Sequence, residues 1–187
     1  MELYNKLSKE ELIKLIEKAG EKRFTLSFYK YQLIKNPEIF RNFLFVELDK
    51  LDVLGRIYVA PEGINAQISL PSKNITKLKN TIDEVTFLKN IRLNIAIKHD
   101  NKSFLKLKIK IKDKIVADGL RCTDYDLENN GEHLDALKFN KLLEDKKTIT
   151  IDMRNHYESE IGHFKNAIRP DVDTFRDSLG VIETQLN

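Results

Sequence analysis

Among the 187 residues, one run has a spacing that suits binding chemistry before any fold is considered. Leu105, Leu107, Ile109 and Ile111 alternate with Lys106, Lys108, Lys110 and Lys112. On an extended strand successive side chains point to opposite faces, so one face is apolar and the other is a row of ammonium groups about 7 Å apart. Such a row suits a phosphate backbone. It is also the device by which an edge strand avoids pairing with another chain, and for any single lysine that is the stronger reading. Lys98, Lys102 and Lys114 flank the ladder, and the candidate RNA contact set is Arg56, Lys98, Lys102, Lys106, Lys108 and Lys110.

Other reactive types are sparse. Cys122 is the only cysteine, which excludes an intramolecular disulfide and every cysteine-based zinc motif. It sits in Leu120-Arg121-Cys122-Thr123, with no following glycine to form an anion-cradling loop, so it reads as an incidental thiol. His99, His133, His156 and His163 are scattered without the spacing of a ligand set, and no metal site is expected.

The charge is divided. Residues 1–115 carry 23 Lys and Arg against 14 Asp and Glu, while residues 116–187 carry 9 against 15. A basic first part is a candidate for a polyanion and the second for a different task. With 41% hydrophobic and 33% charged residues the composition is that of a globular protein. No apolar run approaches the roughly 18 residues of a membrane span, and the first ten residues lack the apolar stretch of a signal peptide. A cytoplasmic protein without a membrane partner is expected.

The elements that must position these residues follow from caps and periodicity. Ser8 and Glu11 have capping-box spacing before an apolar stripe that ends at Gly20, which predicts a helix over 9–19. Phe24 to Gln32 reads as a strand, and Asn36 before Pro37 opens a helix ending near Asp52. Strands Leu54 to Ala60 and Asn65 to Leu70 form a hairpin across Pro61-Glu62-Gly63-Ile64, with Gly63 free to take positive φ. Ser72 is expected to cap a helix through Ile75, Leu78, Ile82 and Val85, and Ile91 to Ile97 to form a fourth strand by alternation. The order βαββαβ predicts a ferredoxin-like antiparallel sheet with two helices on one face, extended by a fifth strand within Phe104 to Ile115. Residues 116–131 read as an acidic linker. Beyond it, a helix from Leu134 to Leu143, an apolar run from Thr148 to Asp152, and caps at Asn155 and Asp173 suggest a parallel α/β unit over 132–187.

The run Asp152 to Ala167, containing Asp-x-Arg, an acidic residue and Gly-His-x-x-x-Ala, resembles the opening signature of a rhodanese domain. Together with Gly55 to Ser69, Arg92 to Ala96, Lys102 to Phe104 and Lys114 to Gly119, it resembles the bacterial rhodanese-related tRNA uridine(34) hydroxylase family, over about Phe24 to Arg176. The resemblance implies an α+β protein: an acylphosphatase-like N-terminal domain over 1–115, then the first part of a rhodanese-like domain over 132–187. It implies oxygen-dependent formation of 5-hydroxyuridine at the wobble position of tRNA by a tRNA-modifying oxidoreductase, with molecular oxygen as co-substrate and no cofactor held by this chain. In that fold Asp152 and Arg154 would sit at a strand end, Gly162 would permit a turn, and His163 would be buried beside it. The structural reading of these residues is the stronger: Arg154 bonds Glu158 and His163 satisfies backbone groups, while the functional alternative has Arg154 touching substrate. The family's cysteine loop would lie beyond Asn187, so the chain as given is expected to be truncated within the rhodanese domain and inactive by itself, with 132–187 weakly held. Between Tyr31 and Pro37 there is neither glycine nor arginine, which argues against acylphosphatase activity. Two alternatives stay open: a non-catalytic tRNA-binding module, and a rhodanese-type sulfurtransferase.

Overall fold

The computed structural model describes residues 7–97, 103–116, 118–120, 126 and 131–186, and the chain divides into two compact units, Met1–Val116 and Ala117–Asn187. The linker expectation at 116–131, with Cys122, falls largely outside the described residues.

The first unit runs α1 (Lys9–Ala19), β1 (Arg23–Tyr31), α2 (Pro37–Asp49), β2 (Leu54–Ala60), β3 (Gly63–Pro71), α3 (Ile75–Asp83), β4 (Asn94–Ile95) and β5 (Leu107–Ile111). Local chemistry sets the helix ends. Ser8 and Glu11 close a reciprocal capping box on α1, and Gly20 ends it in the left-handed region at φ 58°. Asn36 accepts from the Ile39 N–H ahead of Pro37 at the first turn of α2. Ser72, expected as a cap, makes no capping hydrogen bond. Residues Ser72–Asn74 instead form a 3₁₀ turn whose Asn74 amide donates to the Leu51 carbonyl at 3.1 Å.

The strands lie in the order β4-β1-β3-β2-β5. The first four have the ferredoxin-like arrangement, and β5 adds to the β2 edge in parallel. The hairpin of β2 and β3 closes at the Ala60–Gly63 pair. Gly63 takes φ 152°, and a Cβ there would meet the Lys30 carbonyl oxygen at 2.2 Å. The fourth strand is shorter than the alternation of Ile91 to Ile97 suggested. Asn94 and Ile95 pair with Ser27 and Leu26, Ile91 and Leu93 lean on the core, and Ile97 is 99% exposed.

The alternation of each strand divides the sheet into two faces. Leu26 and Phe28, Ile57 and Val59, Ile64, Ala66, Ile68 and Leu70, and Leu107 point one way and are buried against Leu44, Phe45 and Leu48 of α2 and Leu78 and Ile82 of α3. At about 25 cal/mol per Å² this apolar burial is the main force holding the unit together. Among the described residues no helix of the first unit lies on the other face, whose side chains are mostly polar, and there the Asn65 amide donates to the Ile115 carbonyl at 3.3 Å.

The second unit contains α4 (Ala136–Glu144), α5 (His156–Ile161) and α6 (Phe175–Leu186). Asp135 caps α4 by accepting from the Lys138 N–H at 2.9 Å, and Asn155 with Glu158 forms a capping box on α5. The run Thr148 to Asp152 is not a strand: a single parallel bridge joins Ile151 to Ile168. Phe139 and Phe164 stack tilted at 4.9 Å, but α4 has no buried residue.

Candidate nucleic-acid interface

Strand register assembles the basic residues. Across the sheet Ser27, Gln67, Arg56 and Lys108 form one row, and Tyr29, Asn65, Tyr58 and Lys110 the next. Residues opposed in a sheet share a face, so Arg56, Lys108 and Lys110 stand together on the face away from α2 and α3, all exposed. The parallel alignment of β5 with β2 is what brings Arg56 beside Lys108, although 52 positions separate them in the chain. Lys112 follows on the same face, its N–H donating to the Val59 carbonyl at 2.9 Å and its ammonium 5.8 Å from the Tyr58 ring centre, a cation–π contact. None of the strand positions on this face is acidic.

The rest of the expected set separates from this group. Lys106 lies at the opposite end of β5 and lines a groove of about 780 Å³ whose walls include Glu21, Asp49 and Asp52. Nearby carboxylates make that end a poorer anion site than the Arg56–Lys110 corner. Lys114, which flanks the ladder in sequence, is turned inward: its ammonium is 3.9 Å from the Glu62 carboxylate, whose side chain is fully buried. The other Glu62 oxygen accepts from the Ile115 N–H at 2.7 Å. Lys98 and Lys102 lie outside the described residues.

The strands of this face also carry three tyrosines that the reading of the sequence passed over. Tyr29 and Tyr31 alternate along β1 and sit edge to face with ring centres 6.4 Å apart, and Tyr58 stands on β2 two strands away. Period-two alternation through Ser27, Tyr29 and Tyr31 was the available signal.

In the second unit Arg154 and Asp152 form a forked pair. Arg154 Nε donates to Asp152 Oδ1 at 2.9 Å and Nη2 to Oδ2 at 2.6 Å, while Nη2 also donates to the Gly162 carbonyl at 2.6 Å. These hydrogen bonds hold the Asp152 carboxyl below its ordinary pKa and raise that of Arg154. The expected partner of Arg154, Glu158, is instead committed to the Asn155 N–H at 3.2 Å, because three-residue spacing at a helix start favours the capping box. Gly162 is not needed for a turn: its φ of 176° is ordinary extended backbone and a Cβ there would meet nothing. His163 is exposed rather than buried, yet its Nδ1 does lie 2.9 Å from the Ser159 carbonyl and 3.3 Å from Arg169. Asp152, Arg154, Gly162 and His163 therefore form a local brace around α5.

No group of three His, Cys, Asp or Glu among the described residues could hold a metal ion. No helix among them is long and apolar enough to cross a membrane.

Comparison with known proteins adds to this geometry. Residues 23–115 match the UPF0176 acylphosphatase-like domain family. The chain is 49% identical over 185 residues to a protein of Leptospira interrogans, covering 99% of this chain and 50% of that one. It is 45% identical over 185 residues to one of Photorhabdus laumondii (98% and 53%) and 44% identical over 178 residues to one of Escherichia coli (95% and 51%). All three are named tRNA uridine(34) hydroxylase. The chain spans about half the length of the curated relatives it matches.

Proposed function

The chain belongs to the family of proteins named tRNA uridine(34) hydroxylase, and on that premise we propose that it contributes the tRNA-contacting part of such an enzyme. The observation that carries the reading is identity of 44 to 49% maintained across 95% or more of the chain. The activity so proposed is oxygen-dependent hydroxylation of the wobble uridine to 5-hydroxyuridine, in the cytoplasm, where molecular oxygen is the co-substrate. Uridine in an anticodon loop is unpaired, and enzymes that act on a base take it where it can be splayed out.

Within this scheme the first unit supplies electrostatic contact. Arg56, Lys108 and Lys110 offer three cations on one face, and a protein that neutralises phosphates this way binds with an affinity that falls steeply with salt. The second unit, read as the opening part of a rhodanese-like domain, supplies a braced loop in which the Arg154 guanidinium is held by Asp152. Its surface position leaves Arg154 within reach of RNA, while its hydrogen bonds support a positioning role.

Two measurements test the proposal. Deleting the gene is expected to abolish 5-hydroxyuridine in digested bulk tRNA analysed by mass spectrometry, and an undiminished level would refute the assigned reaction. The purified chain is expected to bind tRNA with a salt slope of about −2 to −3 in log–log form, near that for three phosphate contacts. Binding that ignores salt would remove the electrostatic contact.

A further inference from the structure

The open face of the sheet is more than a basic edge. Its exposed charges are confined to one side, Arg56 on β2 and Lys108 and Lys110 on β5, with Arg23 of β1 buried against Ser69, while toward β1 the same two rows continue through Tyr58, Gln67 and Asn65 to Ser27 and Tyr29. Aromatic residues favour strands in general, so what marks these rings for contact is their position inboard of the lysines together with their exposure. Tyr29 is 50% exposed, and half exposure of an aromatic ring on the sheet face away from the packed helices is the arrangement by which sheets stack unpaired bases. With strands about 4.8 Å apart, Tyr58 and Tyr29 stand about 10 Å from each other across β3, on either side of Asn65, whose amide donates to the Ile115 carbonyl at 3.3 Å where the chain after β5 reaches this face. Gln67 is exposed on β3 between the two tyrosine-bearing strands, with an amide able to donate to and accept from base edges.

We propose that this face is a binding site for an unpaired RNA segment, whose phosphates follow Arg56, Lys108 and Lys110 along the β2–β5 edge and whose bases lie inward on the Tyr58 and Tyr29 rings. This rests on the tRNA-contact reading above and deepens it, because it specifies single-stranded rather than duplex RNA and names the rings that select for it. A duplex keeps its base faces stacked on one another, so it can use the lysines but not the tyrosines. Lys112, seated over Tyr58, is the group a base would displace from that ring or sandwich against it.

The chain has no tryptophan and six tyrosines, so its intrinsic fluorescence is tyrosine emission to which Tyr29 and Tyr58 contribute, and comparison with the alanine variants isolates their share. The experiment titrates the full chain with tRNA, with a short oligouridine, and with an RNA duplex of the same length, following anisotropy of labelled RNA and tyrosine emission. Oligouridine is expected to quench tyrosine emission and to bind more tightly than the duplex. Tyr29→Ala and Tyr58→Ala are each expected to weaken oligouridine binding by about 5- to 150-fold, the range that removal of one stacking ring produces. They should do so without changing the salt slope, since no charge is removed, and Tyr29→Phe and Tyr58→Phe should bind as the parent does. Retained tRNA binding with no preference for oligouridine and no effect of the alanine variants would overturn the stacking site while leaving the tRNA contact standing. Loss in the phenylalanine variants as well would also overturn stacking, since the ring is still present. Failure of the parent chain to bind any of the three RNAs would overturn both.

Discussion

Residues 1–116 and residues 117–187 bury apolar surface to different extents. In the first unit 18 hydrophobic side chains form one buried cluster between the sheet and two helices. Among the described residues of the second, Ile182 is the one hydrophobic side chain buried to the same degree, while Leu137, Ile149 and Ile161 are 76, 64 and 90% exposed. Both units have capped helices, α1 and α2 in the first and α4 and α5 in the second, so the contrast does not come from local sequence signals. Helix caps contribute about 1 kcal/mol each, whereas a core needs elements distant in sequence to close on one another. The first unit has that closure in five paired strands. Among its described residues the second has one bridge, Ile151 to Ile168, and its short-range order rests on hydrogen bonds around Asp152 and Arg154.

The difference can be sharpened by substitution. Phe28, 2% exposed in the middle of the cluster, should lose about 3 to 5 kcal/mol of unfolding free energy as Phe28→Ala, measured by denaturant titration of the sheet unit. Removing the buried anchor of the β2–β3 turn, Glu62→Ala, should cost about 1.5 to 3 kcal/mol, because the Ile115 N–H and the Lys114 ammonium lose a charged acceptor. Hydrogen exchange should then show the segment after β5 opening first.

Acid should loosen the second unit around Asp152. The Asp152 carboxyl is depressed below its ordinary pKa by the Arg154 hydrogen bonds. Its contribution is therefore fully present above the unfolded-state value of about 3.9 and is lost as pH falls through the lower folded value. Exchange protection around α5 should stay level between neutrality and about pH 5 and decline below about pH 4. Arg154→Gln should weaken that protection already at neutral pH. The smallest effect is expected at Ile161→Ser, which should change stability by no more than about 0.5 kcal/mol because the side chain is already in solvent.

Much of the first unit was legible in particular residues. Ser8 with Glu11, Asn36 before Pro37, and Gly63 at the hairpin each act through bonds made within a few positions, so the sequence pattern carries their geometry. The lysine alternation marked β5 for the same reason. What could not be read was which strand β5 would join. Its pairing with β2 depends on packing across more than 50 positions, and that pairing decides that Arg56 meets Lys108 while Lys106 faces carboxylates. Ile91 to Ile97 misled because alternation does not distinguish a strand from an extended chain leaning on a core. In the second unit Asp152 took Arg154 from Glu158 because a carboxylate two positions away can accept both a side-chain fork and the backbone N–H.

The central claim is that the sheet face of the first unit away from α2 and α3 carries the RNA contact. Its most direct test is the dissociation constant of tRNA for the parent chain, for the triple variant Arg56→Gln, Lys108→Gln, Lys110→Gln, and for Arg154→Gln, measured over a series of salt concentrations. The account predicts that the triple variant loses most of the affinity and most of the salt slope, while Arg154→Gln keeps the slope within about one unit. A triple variant that binds tRNA as the parent does, with affinity lost instead at Arg154→Gln, would contradict it.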